Sequence, residues 1–405
     1  MSCHVRAQLV CAAVVLSSLP AQAGPLTIDL PAALARARER APEAIAAMGR
    51  IAEAEATRTG ARVLLVHNPE LEVGVGPRFG DARTTQIEAR IAQPLEPTRR
   101  RARIRVADET VRHAHATTDA QLRELSFEVA NVFNEARHAD LVVELVKRSS
   151  ALAGRAAEAA LRRRKAGDLT DLDVDLAKIA HGRARSAVAA AEAERAAMIG
   201  RLAVLIGARP DDTITLAGEL RPALLVLDGL RDGVPARADV RALEAEARVA
   251  GAERALATAA GRPDVGLWFG YERDDGDSIV IGGVSLTLPL WNRGQGEQAA
   301  ARAKQRRVEA ERTAVIGAAS RQLSDVFEAY SRSREAVELF EREVVPALTD
   351  SEQLLDRSIE AGQIAVSNYL VARQEILSGR REYLDRQLAL AKAAAVARFV
   401  AGVSP

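Results

Sequence analysis

Two kinds of hydrophobic periodicity divide this chain. Over 69–77, Leu71, Val73 and Val75 alternate with Glu70, Glu72, Gly74 and Gly76. Over 84–93, Thr85, Ile87, Ala89 and Ile91 alternate with Gln86, Glu88, Arg90 and Ala92. A period of two predicts strands with one apolar face. A second pair follows over 263–272, with Val265, Leu267, Phe269 and Tyr271, and over 279–290, with Val280, Val284, Leu286 and Leu288. Pro77 to Arg83 and Glu272 to Ser278 read as the connecting turns.

Outside these segments the pattern is helical. From Thr98 to Lys165 there is no proline and one glycine, Gly154, which predicts a helix about 100 Å long. Leu125, Val129, Val132, Ala136, Ala139, Val143 and Val146 recur along it in alternating steps of four and three, a seam for lateral packing. The last helix, from about Ile364, carries a similar seam in Tyr369, Ile376, Tyr383 and Leu390, and a second in Leu370, Leu377, Leu384 and Ala391. Helices over 30–64 and 169–206 are about half as long and, stacked end to end, match the long one. Gly167 and Gly362 mark the turns of two helical hairpins, far from the strands.

The two halves repeat. The segments at Asn68-Pro69-Glu70 and Arg262-Pro263-Asp264, at Gln93-Pro94-Leu95 and Leu288-Pro289-Leu290, and at Ala166-Gly167-Asp168 and Ala361-Gly362-Gln363 align at one offset of roughly 195 positions. A unit this long implies duplication of a whole domain. The predicted organisation is a first repeat over 24–207, a linker over 208–234 with Pro210 and Pro222, and a second repeat over 235–405.

Each strand has the length a tilted strand needs to cross a bilayer, with one apolar face and one of polar residues or glycine. Two soluble hairpins packed on helices would alternate in the same way. In lipid, four strands cannot stand alone, because open edges leave backbone groups unpaired. A barrel would need strands from several copies, and three copies would give twelve. Trp268, Tyr271 and Trp291 suit an interfacial aromatic girdle.

Composition sharpens the location. His4, Arg6, the apolar run Leu9 to Leu16 and Ala21-Gln22-Ala23 read as a secretory signal over 1–23. Cys3 and Cys11, the two cysteines of the chain, fall inside it, and Gln8-Leu9-Val10 before Cys11 lacks the small residue of a lipoprotein cleavage box. Aromatic residues are 3% of the chain, which favours long helices packed through alanine over an aromatic-rich core. Charges are mixed in sign, so Arg99-Arg100-Arg101 and Arg162-Arg163-Arg164-Lys165 do not amount to a nucleic-acid surface. His113 and His115 point to different helix faces, and no phosphate loop, zinc-protease motif or nucleophile elbow is present, so no catalytic, metal or cofactor site is expected.

Leu26-Thr27-Ile28-Asp29-Leu30, Ala32-Ala33-Leu34-Ala35-Arg36-Ala37 and Ala41-Pro42-Glu43 are similar to the opening helix of the TolC family of outer-membrane efflux proteins. Arg201-Leu202-Ala203-Val204-Leu205-Ile206-Gly207 resembles the close of that family's first repeat. Arg237-Ala238-Asp239-Val240-Arg241-Ala242 and Arg262-Pro263-Asp264 resemble the start of its second. The resemblance implies a mainly α fold with a small β part, a duplicated coiled-coil repeat with four membrane strands per chain. It further implies a homotrimer with a twelve-stranded barrel in outer-membrane lipid and a periplasmic helical tunnel. Its partners would be a periplasmic adaptor and an inner-membrane pump of the RND type. Its role would be a passive conduit from periplasm to exterior, and a periplasmic coiled-coil adaptor or scaffold is the alternative.

The family's adaptor-contact tips map to Gly167, Asp168, Leu169 and Thr170, and to Gly362, Gln363 and Ile364. Residues Gln363 to Asn368 carry no charge where an acidic gate is often found. Asp171, Asp173 and Asp175 either supply a ring of lumen carboxylates in its place or form an ordinary acidic helix start. The short length and missing lipobox resemble the heavy-metal cation branch. Glu96-Pro97-Thr98-Arg99-Arg100-Arg101 stands where that branch often has a glycine-glycine-basic turn, but without the glycines.

Overall fold

A computed structural model describes residues 25–78, 84–274, 277–361 and 363–403. The signal-sequence reading over 1–23, the turn around Gly80-Asp81 and the hairpin residue Gly362 lie outside them. The chain is mostly helical with a small β part.

The alternating segments form β2 (Glu70–Arg78), β3 (Thr84–Leu95), β5 (Asp264–Asp274) and β6 (Asp277–Thr287). They make one antiparallel sheet in the order β2-β3-β5-β6, so the halves join at β3 and β5 and the outer edges of β2 and β6 are unpaired. The second hairpin is longer than the alternation predicts. Glu272, Arg273 and Asp274 pair with Ile279, Ser278 and Asp277, because polar residues continue a ladder as readily as apolar ones once one face needs no burial.

The long helix is α3 (Pro97–Lys165), 69 residues, and all seven predicted seam residues are buried along it. Beside it in the half nearest the sheet lie α1 (Leu30–Arg40) and α2 (Pro42–Arg62) on one flank and α6 (Ala238–Ala260) on the other. Beyond them, α4 (Asp171–Leu205) and α8 (Val366–Ala401) flank it, and α7 (Gln295–Glu360) packs on α6 and then α8. The helices therefore run α2-α3-α6-α7 next to the sheet and α4-α3-α8-α7 farther away, with the same flanks as the strands. α7 continues through Pro346, where Val344, Val345 and Leu348 pack among Phe340, Leu355, Tyr369 and Ile376. Lateral burial outweighs the one lost backbone bond there.

The structure departs from expectation in two places. The helix predicted over 30–64 is broken at Ala41, whose ψ of 140° is extended because Pro42 crowds a helical predecessor. The segment read as a linker over 208–234 holds β4 (Thr213–Leu216), which pairs in parallel with β1 (Pro25–Ile28), and then α5 (Leu227–Arg231) and one 3₁₀ turn. Ile28, Ile214 and Leu216 are buried there with Val129, Val132, Phe133, Leu202 and Ile206, forming the core of the first half. These strands have four residues each, too short for a period-two pattern to stand out.

Candidate functional site

The sheet is a two-faced surface. Its register puts Leu71, Val73, Val75, Ile87, Ala89, Ile91, Val265, Leu267, Phe269, Tyr271, Val280, Val284 and Leu286 on one side. These side chains have no helix over them, and most are exposed. Opposite are Glu70, Glu72, Gln86, Glu88, Arg90, Glu272 and Ser285, with Gly74, Gly76, Gly266, Gly270 and Gly283, and near the tip of the second hairpin Ile279 and Ile281. A soluble sheet would bury its apolar face; this one turns it outward.

Trp268 and Tyr271 do not share a side. An odd separation in a strand puts them on opposite faces, and Trp268 lies on the polar one, its ring 4.7 Å below the Arg90 guanidinium. Gly283 opposite it leaves room for the indole, since a Cβ there would come within 2.8 Å of the ring. Tyr271 is on the apolar face, its hydroxyl 3.1 Å from Ser278 Oγ. Trp291 stands beyond the sheet, where β6 passes into α7, with its side chain exposed.

The hairpin tips stand at the far end. After α3, Gly167 turns with φ +90°, and Gly167 N–H and Asp168 N–H donate to Arg164 O and Arg163 O. A left-handed residue that closes the last carbonyls of a helix is most often glycine. Thr170 caps α4 in a reciprocal box with Asp173: Thr170 Oγ1 accepts from Asp173 N–H at 3.2 Å, and the Asp173 carboxylate accepts from Thr170 N–H. The Thr170 hydrogen bonds hold the Asp173 carboxyl below the usual carboxylate range. Asp171 is lowered too, by its bidentate bond to Arg164 at 2.7 and 3.1 Å. Asp175 pairs with Lys178 at 3.2 Å. Each of the three carboxylates thus has a local partner within its own hairpin.

The two tips share a small core. Leu169 and Val366 pack with Ala157, Ala160, Val174 and Ala177, and Ile364 packs on the cluster around Tyr369 and Ile376. Asp168 and Gln363 are exposed.

A third centre was not apparent in the sequence. Arg237, buried before α6, donates to Val400 O at 2.6 Å and clasps Asp239 with both arms at 2.7 and 3.0 Å. Arg123 of α3 stacks 4.3 Å over Phe399, donates to the Phe399 carbonyl and lies 3.5 Å from Asp239. α8 ends there in the left-handed Gly402, at φ +82°, whose N–H donates to Phe399 O while Val403 N–H donates to Arg398 O, and a Cβ on Gly402 would run into the Arg237 stem. The motif Arg237-Ala238-Asp239 supplied the residues, but their partner, the chain end, lies about 160 positions away.

Among the described residues, no cluster of three or more His, Cys, Asp or Glu side chains could hold a metal ion. No described helix is long and apolar enough to cross a membrane.

Duplicated long helices beyond one end of a sheet that has an uncovered apolar face and two open edges fit the subunit of an outer-membrane channel. Residues 235–402 match the outer membrane efflux protein family. Over that stretch the chain is similar to the outer membrane efflux proteins, a family of transport components. It is 28% identical to the cobalt-zinc-cadmium resistance protein CzcC of Cupriavidus metallidurans, over 89% of this chain and 86% of that one. Its fold is similar to that of a membrane protein from Pseudomonas aeruginosa, with TM-score 0.72 and 18% identity over 93% and 90% of the two chains. It is likewise similar to the outer membrane protein VceC of Vibrio cholerae, with TM-score 0.70 and 20% identity over 93% and 96%. At these identities the structural likeness is one of fold.

Proposed function

We propose that three copies of this chain close a twelve-stranded barrel in the outer membrane, continued into the periplasm by a tunnel of helices. The observation that carries the reading is the four-stranded sheet with an uncovered apolar face and two unpaired edges. Lipid accepts the face, and only closure with further copies satisfies the edges. Residues 1–23 are then a cleaved export signal, and 24–207 and 235–405 the two repeats about the segment 208–234. Tyr271 meets the lipid interface, and Trp268 lines the pore with Arg90. The tips at Gly167–Thr170 and Gly362–Ile364 receive a periplasmic adaptor, which connects the conduit to an inner-membrane pump of the RND type.

The relative named for cobalt, zinc and cadmium resistance supports divalent metal cations as the cargo. They would pass as substrate and not as a resident cofactor. Deleting the gene is expected to sensitise cells to these cations; sensitivity to organic compounds alone would overturn the metal assignment. The conduit itself is tested by fractionation. The chain is expected in the outer membrane as a species whose gel mobility changes on heating, and a soluble periplasmic monomer would end the proposal.

Asp171, Asp173 and Asp175 supply the carboxylate ring at the tunnel entrance in this reading. Their support is the acidic start of α4, held ionised to low pH by Arg164 and Thr170. Replacing Asp171 and Asp173 with Asn is expected to reduce single-channel cation preference, and an unchanged preference would show that the two serve the hairpin turn alone.

A further inference from the structure

The irregular segments joining helix to sheet carry apolar side chains that no described residue covers. Between α2 and β2, Val63, Leu64, Leu65 and Val66 follow one another, all exposed, Leu64 at 73%. Between β6 and α7, Leu288, Leu290 and Trp291 are exposed as well, Trp291 at 86%. The segments stand at the same end of the sheet but at opposite edges, because β2 and β6 are the outer strands and α2 and α7 the outer helices beside them.

Lipid is a poor occupant for either segment. The chain is non-helical and outside the strands here, and irregular backbone exposed to lipid does not occur in the hydrocarbon layer. The 61–63 backbone is also tied to the helical layer: Arg103 donates to Ala61 O and Val63 O, and Arg100 to Arg62 O. Adjacent aliphatic side chains held below the membrane call for a protein surface.

We propose that Val63–Val66 of one copy pack against Leu288, Leu290 and Trp291 of the next, forming an apolar collar beneath the barrel. The inference rests on the trimeric closure proposed above. Joining β2 of one copy to β6 of the next, and α2 to α7, brings these two segments together without further movement. Each copy offers one of each, so three seams form a ring. The collar lies on the water side of the strands, where the barrel passes into the tunnel. It would align neighbouring strands before they pair.

Cross-linking tests this directly. No cysteine lies beyond Cys11, so Leu65→Cys with Leu290→Cys, and Leu64→Cys with Trp291→Cys, can be treated in the assembled full chain with a short bifunctional maleimide. The expected result is covalent dimers and trimers from the paired variants and none from single variants. Bands absent from both pairs, in material that sizes as a trimer, would overturn the collar and leave the barrel standing. A wild-type chain that never sizes as a trimer would instead remove the closure on which the collar rests. A third readout addresses lipid: in a Trp268→Phe background, Trp291 fluorescence is expected to resist quenching by brominated phospholipid. Strong quenching would assign that side chain to the bilayer and sink the collar.

Discussion

Val75→Arg is expected to abolish assembly in the outer membrane, whereas Gly76→Arg, one position on, leaves it intact. Val75 is one residue from the middle of β2 and 68% exposed on the apolar face. In the proposed barrel that face meets hydrocarbon, where an arginine near the midplane costs about 2–4 kcal/mol per chain. Three copies bear that cost in one trimer. Gly76 points to the polar face, and a side chain built there meets nothing within 4 Å. Its arginine would stand in water beside Gln86, with Glu88 next along β3, shifting ion preference toward anions without loss of the trimer. Heat-modifiable mobility and outer-membrane yield read the first variant, and planar-bilayer conductance the second. Equal damage from both substitutions would mean that the faces are not divided between lipid and water.

The second large effect is expected at the clasp before α6. Arg237→Met removes the donor to Val400 O and leaves Asp239 with the more distant Arg123. A hydrogen bond to a charged group contributes about 1.5–3 kcal/mol, and this guanidinium makes several in a buried place. A loss on the order of 3 kcal/mol is expected, seen as a lower thermal midpoint and faster proteolysis near residue 400. Arg237→Lys, which keeps the charge but not the two-armed geometry, should fall between.

The pH dependence of the clasp has a definite sign. Burial pushes the Asp239 carboxyl up, but the bonds and charge of Arg237, with Arg123 behind it, hold it below the usual range. A depressed carboxylate stabilises the fold fully above its unfolded pKa, and that contribution disappears as pH falls through the lower folded value. Asp239→Asn should therefore lose stability at neutral pH and show a flatter decline than wild type below about pH 4.

Much of this architecture was legible because long elements repeat their pattern many times. All seven seam residues of α3 are buried, since a four-three spacing kept over several turns holds one helix face against its neighbours. The strand pairs stand within a few residues of their predicted bounds for the same reason. The break at Ala41 was signalled by Pro42 and missed because the apolar pattern continues across it. The β1–β4 pair was hidden by its length.

Trp268 shows the limit of residue type as a guide. Its identity suggested a membrane interface, while its position against Tyr271 required the opposite face. The strand period was visible, and it decides the matter. The clasp of Arg237 was out of reach because it depends on the meeting of α3, α6 and the end of α8, which no local pattern encodes. At the tips, sequence located the turns, but only the structure showed that each aspartate already has a partner close by.

The pairing of β3 with β5 brings together residues some 186 positions apart, as Gln86 meets Glu272. Each helical hairpin and each β hairpin, by contrast, forms from neighbouring chain. Local contacts form quickly and distant ones late. A chain on its way to the membrane can therefore hold its helical hairpins while its two β hairpins, like the distant strands β1 and β4, remain separate. In that state neither hairpin presents a completed apolar sheet to water. Joining them pairs two of the four hairpin edges and completes the apolar face, so a late β3–β5 pairing would delay the surface that the proposed barrel offers to lipid.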